Sequence, residues 1–529
     1  MRMHRWALCR CTGGVSERQY GGREDSVGAT DDREGAVTTG AGPEGVGYAG
    51  VRETHSSVVF FVGERVHKLK KPLDLGFLDN RTREARERIC HREVELNRRL
   101  APDVYLGVAD VHGPDGQLCE HLVEMVRLPD DRRLAAAVRR GEDVSVVIDE
   151  VAQQVAALHA SSPHGPEIDR CASADFVAEL WDLSLDHLGR LEVGADRAGA
   201  LTRIRESVHR YLAGRAVLFD ERIAAGRAVD GHGDLLADDI FCLDDGPRII
   251  DCLEFDDELR YGDAVLDLAF LAMDLERLGA EPAARRLLEQ YGEVSGDHPP
   301  SSLVHHYIAY RALVRAKVTA LRYEQGDAAA RETATGLVEL LEGHLDRGRV
   351  RMVLVGGVSA TGKTTLSRTV GAYLGADVVR SDIVRKELAG LQPTDRTGDG
   401  TDAGLYAPTH SEATYRELLR RAETALARGR SVVLDATWLS SGQRDAARKV
   451  ADGASVDVIE IECRADKGIL LQRMASRAER GDDASDATPA VLEQQLRRRD
   501  PWPEAAAIDT GVETVDAARL ESMLGPAPW

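Results

Sequence analysis

One eight-residue segment constrains the fold of this chain more than any other feature. Residues 357–364 read Gly-Val-Ser-Ala-Thr-Gly-Lys-Thr and fit the pattern G-x-x-x-x-G-K-[ST], a match that chance produces on the order of once in a hundred such chains. An apolar run at 352–355 predicts a strand before the segment, and 365–374 predicts a helix after it. A merely structural glycine-rich turn is the weaker interpretation, because the chain has eight lysines and one of them stands here.

The spacing of this segment, called the phosphate loop below, suits it to holding phosphate. Its glycines let backbone N–H groups curl around phosphate oxygens, and the following helix N-terminus adds positive potential. Lys363 is expected to reach the outer phosphates, and Thr364 is expected to ligate Mg²⁺. We therefore predict that ATP and Mg²⁺ bind here, and that the nucleotide-binding residues are Gly357, Val358, Ser359, Ala360, Thr361, Gly362, Lys363, Thr364 and Thr365.

The residues after the phosphate loop alternate between strands and helices, which is typical of a parallel α/β sheet. The strand at 431–435 ends in Asp435, which we expect to hold Mg²⁺ opposite Thr364; a helix-capping acid is the alternative. Asp382 follows the second strand, where the helix dipole alone would also favour an acid. Arg473 and Arg477 lie four apart on a predicted helix, either to neutralise phosphate charge or as a solvated face.

A second group of acids stands in the first half of the chain. His232-Gly233-Asp234 is followed by Asp239 and then by a predicted strand that ends in Asp251. One carboxylate on a loop can accept a hydroxyl proton, while a second one after the next hairpin binds Mg²⁺ on ATP. The complete arrangement is far more specific than the three-residue motif alone.

At 351–500 the chain resembles the P-loop small-molecule and polynucleotide kinases, a group that includes gluconate kinase-like proteins. In that family an Asp-x-x-Arg after the second strand activates the acceptor hydroxyl and binds the substrate. The resemblance implies that Asp382 is the catalytic base and that Arg385 binds substrate, with Lys363, Arg473 and Arg477 acting on the phosphates. Residues 478–488 are expected to form a mobile lid.

The constellation at 232–251 resembles the aminoglycoside phosphotransferase-like family, which has the protein-kinase-like fold. The resemblance implies that Asp234 is the catalytic base and that positions 239 and 251 bind Mg²⁺. This chain has Asp239 where the family has Asn, and the extra charge bears on metal affinity and on phosphoryl transfer. The whole arrangement resembles a bacterial group of two-kinase fusion proteins.

Two lysines are candidates for the ATP anchor that this resemblance implies. Strand alternation puts Val66, Lys68 and Lys70 on one face. An apolar residue is expected two positions before the anchor, where it lies against adenine, and Val66 meets this for Lys68. We predict Lys68 as the anchor and Glu93, on the next helix, as its ion-pair partner; a basic surface strand and a solvated helix acid are the alternatives.

Composition narrows the class of protein. Lys and Arg total 68 against 89 Asp and Glu, a net charge of −21, which argues against nonspecific binding to nucleic acid or anionic lipid. No apolar stretch approaches the roughly 20 residues of a membrane helix, and the eight cysteines lack metal-ligand spacing. We expect a cytoplasmic protein without a membrane partner.

These patterns, together with what the two resemblances imply, predict a multidomain chain. Residues 1–50 are rich in glycine and are predicted to be disordered. A bilobal α+β protein-kinase-like domain is predicted over 51–346, with a small lobe at about 51–128 and a large lobe at about 129–346, followed by an α/β P-loop NTPase domain with a parallel sheet over 350–529.

The predicted function is an ATP- and Mg²⁺-dependent phosphotransferase with two nucleotide-binding modules. It would transfer the γ-phosphoryl group to a hydroxyl of a small-molecule acceptor. One alternative is a P-loop kinase that is regulated by a catalytically weak ATP-binding module. The aspartate at position 239, where the family has asparagine, supports this alternative. Another is a polynucleotide 5′-hydroxyl kinase, which the acidity of the chain disfavours.

Overall fold

The computed structural model describes residues 49–54, 56–74, 79–392, 407–480 and 488–529, apart from the side chains of 49, 408 and 477–480. It divides into two compact units. The first comprises the chain up to Ala172 together with Gly226–His298, and the second comprises Ser173–Ala225 together with Pro299–Trp529. These units are defined by packing, so the domain boundary that motif order places near residue 350 stays a prediction. The segment predicted to be disordered lies, up to residue 48, outside the described residues.

An antiparallel sheet of five strands opens the first unit. Its strand order is β1-β2-β3-β5-β4. Helix α1 packs on the sheet, with Cys90 and Val94 of the helix in one apolar cluster with Val123 of β5. The hairpin between β2 and β3 turns at Gly63, whose φ of +57° suits a residue without a Cβ. The first strand begins at Ala49, two residues before the predicted start of folded structure. The bounds are β1 Ala49–Glu53, β2 Ser57–Val62, β3 Arg65–Lys70, α1 Arg83–Asn97, β4 Tyr105–His112 and β5 Leu118–Val126.

The rest of the first unit is mostly helical. Helix α9 is buried on every side over most of its length, which its nearly unbroken apolar sequence explains. The first unit also contains two small antiparallel strand pairs, β6 with β9 and β7 with β8. The bounds are α2 Leu134–Arg139, α3 Ser145–Ala160, α4 Pro166–Cys171, β6 Ala228–Asp230, β7 Ile240–Leu243, β8 Gly246–Ile249, β9 Tyr261–Asp263, α9 Ala264–Arg277 and α10 Glu281–Ser295.

The second unit contains a parallel five-stranded sheet in the order β11-β12-β10-β13-β14. The central strand, β10, is buried at each of its six residues, and apolar clusters cover both faces of the sheet. The strands are β10 Arg351–Gly356, β11 Asp377–Arg380, β12 Val432–Asp435, β13 Asp457–Arg464 and β14 Ala506–Asp509. Because parallel strands share one carboxyl edge, the loops after them converge there.

Helices complete the second unit, and the predicted order of fold classes is confirmed: an α+β part with an antiparallel sheet precedes an α/β part with a parallel sheet. Within the described residues, no helix combines the length and apolar character needed to cross a membrane. The bounds are α5 Ala174–Leu188, α6 Glu192–Ala195, α7 Ala198–Ala213, α8 Ala216–Ala224, α11 Ser301–Glu324, α12 Ala330–Arg347, α13 Lys363–Leu374, α14 Ser381–Leu388, α15 Pro408–Ala427, α16 Ser441–Gly453, α17 Lys467–Arg480, α18 Pro489–Arg498 and α19 Ala517–Leu524.

Candidate functional site

The phosphate loop connects the central strand β10 to helix α13. Gly357 has a φ of +129°, and a Cβ there would meet the carbonyl oxygen of Cys463 at 2.4 Å. Gly362 has a φ of +85° directly before the helix begins at Lys363. Both glycines of the sequence pattern are therefore required by the backbone itself. The loop ends in a helix N-terminus, which presents free N–H groups and positive potential to an anion.

Contacts within the second unit hold this loop in shape. Lys363 Nζ donates a hydrogen bond to the carbonyl oxygen of Val358 at 3.0 Å, so its ammonium group folds back over the loop. The hydroxyl of Thr361 donates to the same oxygen at 2.8 Å. The backbone N–H of Ser359 donates to Gln495 Oε1 at 2.7 Å. Gln495 lies on α18, and no sequence pattern pointed to it.

Thr364 and Asp435 meet at the carboxyl edge of the sheet. The Thr364 hydroxyl donates to Asp435 Oδ2 at 2.7 Å, because β12 pairs with β10 and ends beside the start of α13. Arg380 Nε lies 3.5 Å from the same oxygen. Burial raises the pKa of Asp435, against the charge of Lys363 and the hydrogen bond from Thr364. A hydroxyl and a carboxylate oxygen are ligands that Mg²⁺ accepts, so this pair fits the ion.

Asp382 and Arg385 lie on the neighbouring helix, α14, which follows β11. Asp382 is in the first turn of the helix, and Arg385 Nη1 contacts its Oδ1 at 3.0 Å. The negative charge of Asp382 also contributes to the raised pKa of Asp435, which reflects how near the two carboxylates lie. The acid and arginine of the predicted Asp-x-x-Arg pair therefore stand at the same edge as the phosphate loop.

Arg473 on α17 reaches the phosphate loop from the other side. Its Nη1 donates to the Ala360 carbonyl oxygen at 3.3 Å, and its Nη2 donates to the Thr510 carbonyl oxygen at 2.7 Å. The side chain of Arg477 lies outside the described residues, as does most of the predicted lid. Thr510, just after β14, also donates through its hydroxyl to the Thr361 carbonyl at 2.6 Å, a contact that the sequence did not suggest.

The first unit builds its own charged site around Glu93. Lys68 Nζ lies 2.9 Å from Glu93 Oε1 and 2.8 Å from Asp251 Oδ1. Lys70 Nζ lies 2.5 Å from Glu93 Oε2 and 2.5 Å from Glu254 Oε1. Glu93 thus contacts both candidate lysines, including Lys70, which was not chosen as the anchor, and Glu254 is a member of the site that the sequence prediction did not name. Alternation on β3 was the available signal, since it placed both lysines on one face.

The charges in this group stabilise one another. Burial lowers the pKa of Lys68, but Asp251 and Glu93 outweigh it and hold that pKa well above its ordinary value. Burial likewise opposes ionisation of Glu93, and Lys68 and Lys70 reverse the effect, so its pKa is lowered. Lys68 is the main reason that the pKa of Asp251 falls to about 2. Lys68, Glu93 and Asp251 are therefore charged at neutral pH.

Asp267 on α9 holds the loop that carries Asp234. The backbone N–H groups of His232 and Gly233 donate to its two carboxylate oxygens at 2.8 Å each, and His159 Nε2 donates at 3.0 Å. Burial opposes ionisation of Asp267, but these hydrogen bonds and the charge of His159 outweigh it and hold its pKa well below the ordinary value. Asp234 follows directly and is partly buried.

Asp239 and Asp251 are linked through the backbone between them. Asp239 ends a short helical turn, Ala237–Asp239, and its carbonyl accepts the N–H of Ile250 at 3.0 Å. Asp251 has a φ of +64°, and its N–H donates to Tyr105 Oη at 3.2 Å. Among the described residues no group of three or more His, Cys, Asp and Glu side chains suits a metal ion. Mg²⁺ is commonly bound by one or two carboxylates together with water and phosphate oxygens.

Comparisons with known proteins give one family model and several similar proteins. Residues 352–502 match a family model described as an AAA domain. The structure is similar to a choline/ethanolamine kinase family protein from Mesorhizobium loti, with 14% identity, a TM-score of 0.36, and coverage of 56% of this chain and 86% of that chain. It is also similar to a gluconokinase from Sinorhizobium meliloti 1021, with 18% identity, a TM-score of 0.24, and coverage of 33% and 90% respectively.

Two mycobacterial relatives match nearly the whole chain. "Uncharacterized protein Rv2004c" of Mycobacterium tuberculosis (strain ATCC 25618 / H37Rv) is 41% identical over 463 residues, which are 87% of this chain and 92% of that protein. "Uncharacterized protein Mb2027c" of Mycobacterium bovis matches to the same extent. At this identity and coverage, the chain belongs to the family that these mycobacterial proteins represent.

Proposed function

We propose that this chain is an ATP- and Mg²⁺-dependent phosphotransferase with two nucleotide-binding modules, each able to move a γ-phosphoryl group to a hydroxyl. The observation that carries the proposal is that each unit gathers a lysine and acidic side chains at one site: Lys363 with Asp435 in the second, and Lys68 with Asp251 in the first. The AAA-domain match over 352–502 supports nucleotide binding by the second unit.

In the second unit the position of each residue indicates its role. Backbone N–H groups of the phosphate loop bind phosphate oxygens, and Lys363 moves from the Val358 carbonyl to the outer phosphates. Thr364 and Asp435 hold Mg²⁺, which neutralises phosphate charge when it is bound. Asp382 accepts the proton of the acceptor hydroxyl, and Arg385 orients that acceptor. Arg473 and Arg477 add positive charge next to the phosphates. The hydrogen bond from Arg473 to the phosphate loop supports this role.

In the first unit Lys68 binds nucleotide phosphates while Glu93 fixes its position. Asp234 accepts the hydroxyl proton, and Asp267 holds the loop in the geometry that this needs. Asp239 and Asp251 supply the protein oxygens for Mg²⁺. A small hydroxyl-bearing molecule is preferred over nucleic acid as acceptor for both units, because the net charge of −21 repels a polyanion.

A regulatory role for the first unit is the second candidate, and a specific observation favours it. Lys68 contacts Asp251 directly, so a candidate Mg²⁺ ligand is already neutralised, and position 239 carries a further carboxylate instead of an amide. A module of this kind would bind nucleotide, transfer phosphate poorly and influence the second unit through its occupancy.

Two substitutions separate the candidates. ATP consumption is measured over sugars, sugar acids, nucleosides, aminoglycosides and 5′-hydroxyl oligonucleotides, with each product identified by mass. If both modules catalyse, Asp234→Ala and Lys363→Ala each remove a different product, while the exposed-site controls Asp245→Ala and Lys449→Ala keep both. If Asp234→Ala leaves every product unchanged while the first unit still binds ATP, the regulatory role is correct. A wild-type chain without nucleotide affinity in magnesium buffer would falsify both.

A further inference from the structure

A cavity of about 480 Å³ lies within the second unit, away from the phosphate loop. Residues of α7, α11 and α12 line it, together with Val350 and Asp457 at the starts of β10 and β13. The phosphate loop follows the other end of β10, and six strand residues span roughly 20 Å. The volume is in the range of small-molecule sites. No role proposed above uses this cavity.

Arg215 forms part of the buried wall of this cavity. The residue is 1% exposed, and its Nη1 donates to the carbonyl oxygen of Ala454 at 2.6 Å. Its Nε has no acceptor, and no described carboxylate pairs with the guanidinium, which lies over the ring of Tyr211 at 5.2 Å. A buried cation without a counter-ion is costly, so the site is incomplete as it stands.

His306 lies in the same wall, next to Tyr211. Trp181 Nε1 donates to His306 Nε2 at 3.0 Å, so the proton of the neutral ring is on Nδ1. Burial lowers the pKa of His306 to about 3, which keeps the ring neutral. The Nδ1–H group is buried and has no acceptor among the described residues. Tyr211 stacks on this ring with 4.6 Å between centroids, which connects His306 to Arg215.

The other arginines of the cavity are already neutralised by acids. Arg210 contacts Asp457 at 2.7 Å, Arg349 contacts the same carboxylate, and Arg203 lies 4.0 Å from Glu342. Arg215 is therefore the cavity arginine whose charge is left without a carboxylate among the described residues. This single unbalanced charge suits an anion of about one or two charges better than a triphosphate.

We propose that this cavity is a second ligand site that binds a small oxyanion, carboxylate or phosphate, through Arg215. Guanidinium groups recognise both anions through their N–H donors, and an anion in the cavity would balance the charge of Arg215, which no described carboxylate does. The site is separate from the phosphate loop and does not depend on the chemistry proposed there.

Isothermal titration calorimetry of the full chain tests this proposal, with inorganic phosphate and malonate as probes. The Lys363→Ala background removes phosphate binding at the phosphate loop. Ser207→Trp fills the cavity mouth from an exposed position on α7, and Arg215→Gln removes the charge. Thr202→Trp, an exposed residue of the same helix that does not line the cavity, is the matched control.

At least one probe is expected to bind the Lys363→Ala chain, with affinity at least tenfold weaker after Ser207→Trp or Arg215→Gln and unchanged after Thr202→Trp. Binding of malonate alone identifies a carboxylate site, and binding of phosphate alone identifies a phosphate site. The proposal is overturned if neither probe binds, or if Ser207→Trp leaves the affinity unchanged. Because Ser207 is exposed, this variant keeps the test decisive even if Arg215→Gln fails to fold.

Discussion

Glu93 lies wholly buried between two lysine ammonium groups, which makes it the residue on which the charge balance of the first unit depends. We expect Glu93→Gln to lower the local free energy of unfolding by about 3–5 kcal/mol, because it leaves Lys68 and Lys70 short of a buried anion. Hydrogen exchange in peptides from α1 and β3 measures this loss.

Glu95 on the same helix is the matched control for that substitution. Its carboxylate contacts Arg92 at 2.9 Å but is 69% exposed, so Glu95→Gln should cost less than about 1 kcal/mol. Equal losses of protection in the two variants would contradict a special role for Glu93. The comparison isolates burial, since residue type, substitution and helix are the same.

At the scale of elements, α9 stabilises the loop of the first unit through one carboxylate. The pKa of Asp267 is lower in the folded chain than in the unfolded chain, so its stabilising effect is complete above an unfolded-state pKa of about 3.9 and is lost as pH falls further. We expect Asp267→Asn to remove about 1.5–3 kcal/mol at pH 7. The variant should also lose part of the steep fall in stability below about pH 4.

Chemical denaturation between pH 3 and 7 at roughly one-unit steps measures this dependence. Asp245→Asn is the control, because that exposed side chain contacts only Arg248 among the described residues. A pH profile of Asp267→Asn that runs parallel to the wild-type profile down to pH 3 would show that Asp267 is not the group responsible.

Sequence patterns predicted best those elements whose residues follow one local spacing pattern. The phosphate loop needs glycine at two backbone positions, so Gly357 and Gly362 make it recognisable in the sequence. The strand that ends in Asp435 and the Gly63 hairpin follow from similarly local rules. In contrast, Gln495 and Thr510 contact the phosphate loop although they lie more than a hundred residues later in the chain. No local sequence pattern predicts such contacts.

The two lysines of β3 show the same limit at a finer level. Alternation placed Lys68 and Lys70 on one face, and the choice of Lys68 rested on the apolar Val66 two positions before it, with Glu93 as the partner of Lys68 alone. Glu93 has two oxygens, and the fold gives one to each lysine. The cavity beside Arg215 was likewise invisible, since it is formed by residues from 203 to 457 that only tertiary packing brings together.

At the scale of the whole molecule, an acidic chain is expected to bind two triphosphates at two specific sites, each with a lysine. The net charge of −21 makes nonspecific nucleotide binding unfavourable, so the stoichiometry counts specific sites. We expect two equivalents of a non-hydrolysable ATP analogue to bind the wild-type chain in magnesium buffer by calorimetry. Lys363→Ala and Lys68→Met should each leave one equivalent, and the double variant none.

Lys449→Ala, which removes an exposed lysine of α16, is the control and should keep both equivalents. Circular dichroism before each titration separates lost binding from lost structure, which matters for Lys68 because it leaves Glu93 with one cation instead of two. One equivalent in the wild-type chain that disappears with Lys363→Ala would mean that the first unit binds no nucleotide, and would reduce the molecule to a single P-loop site. One equivalent that survives Lys363→Ala would instead remove the phosphate loop from the proposal.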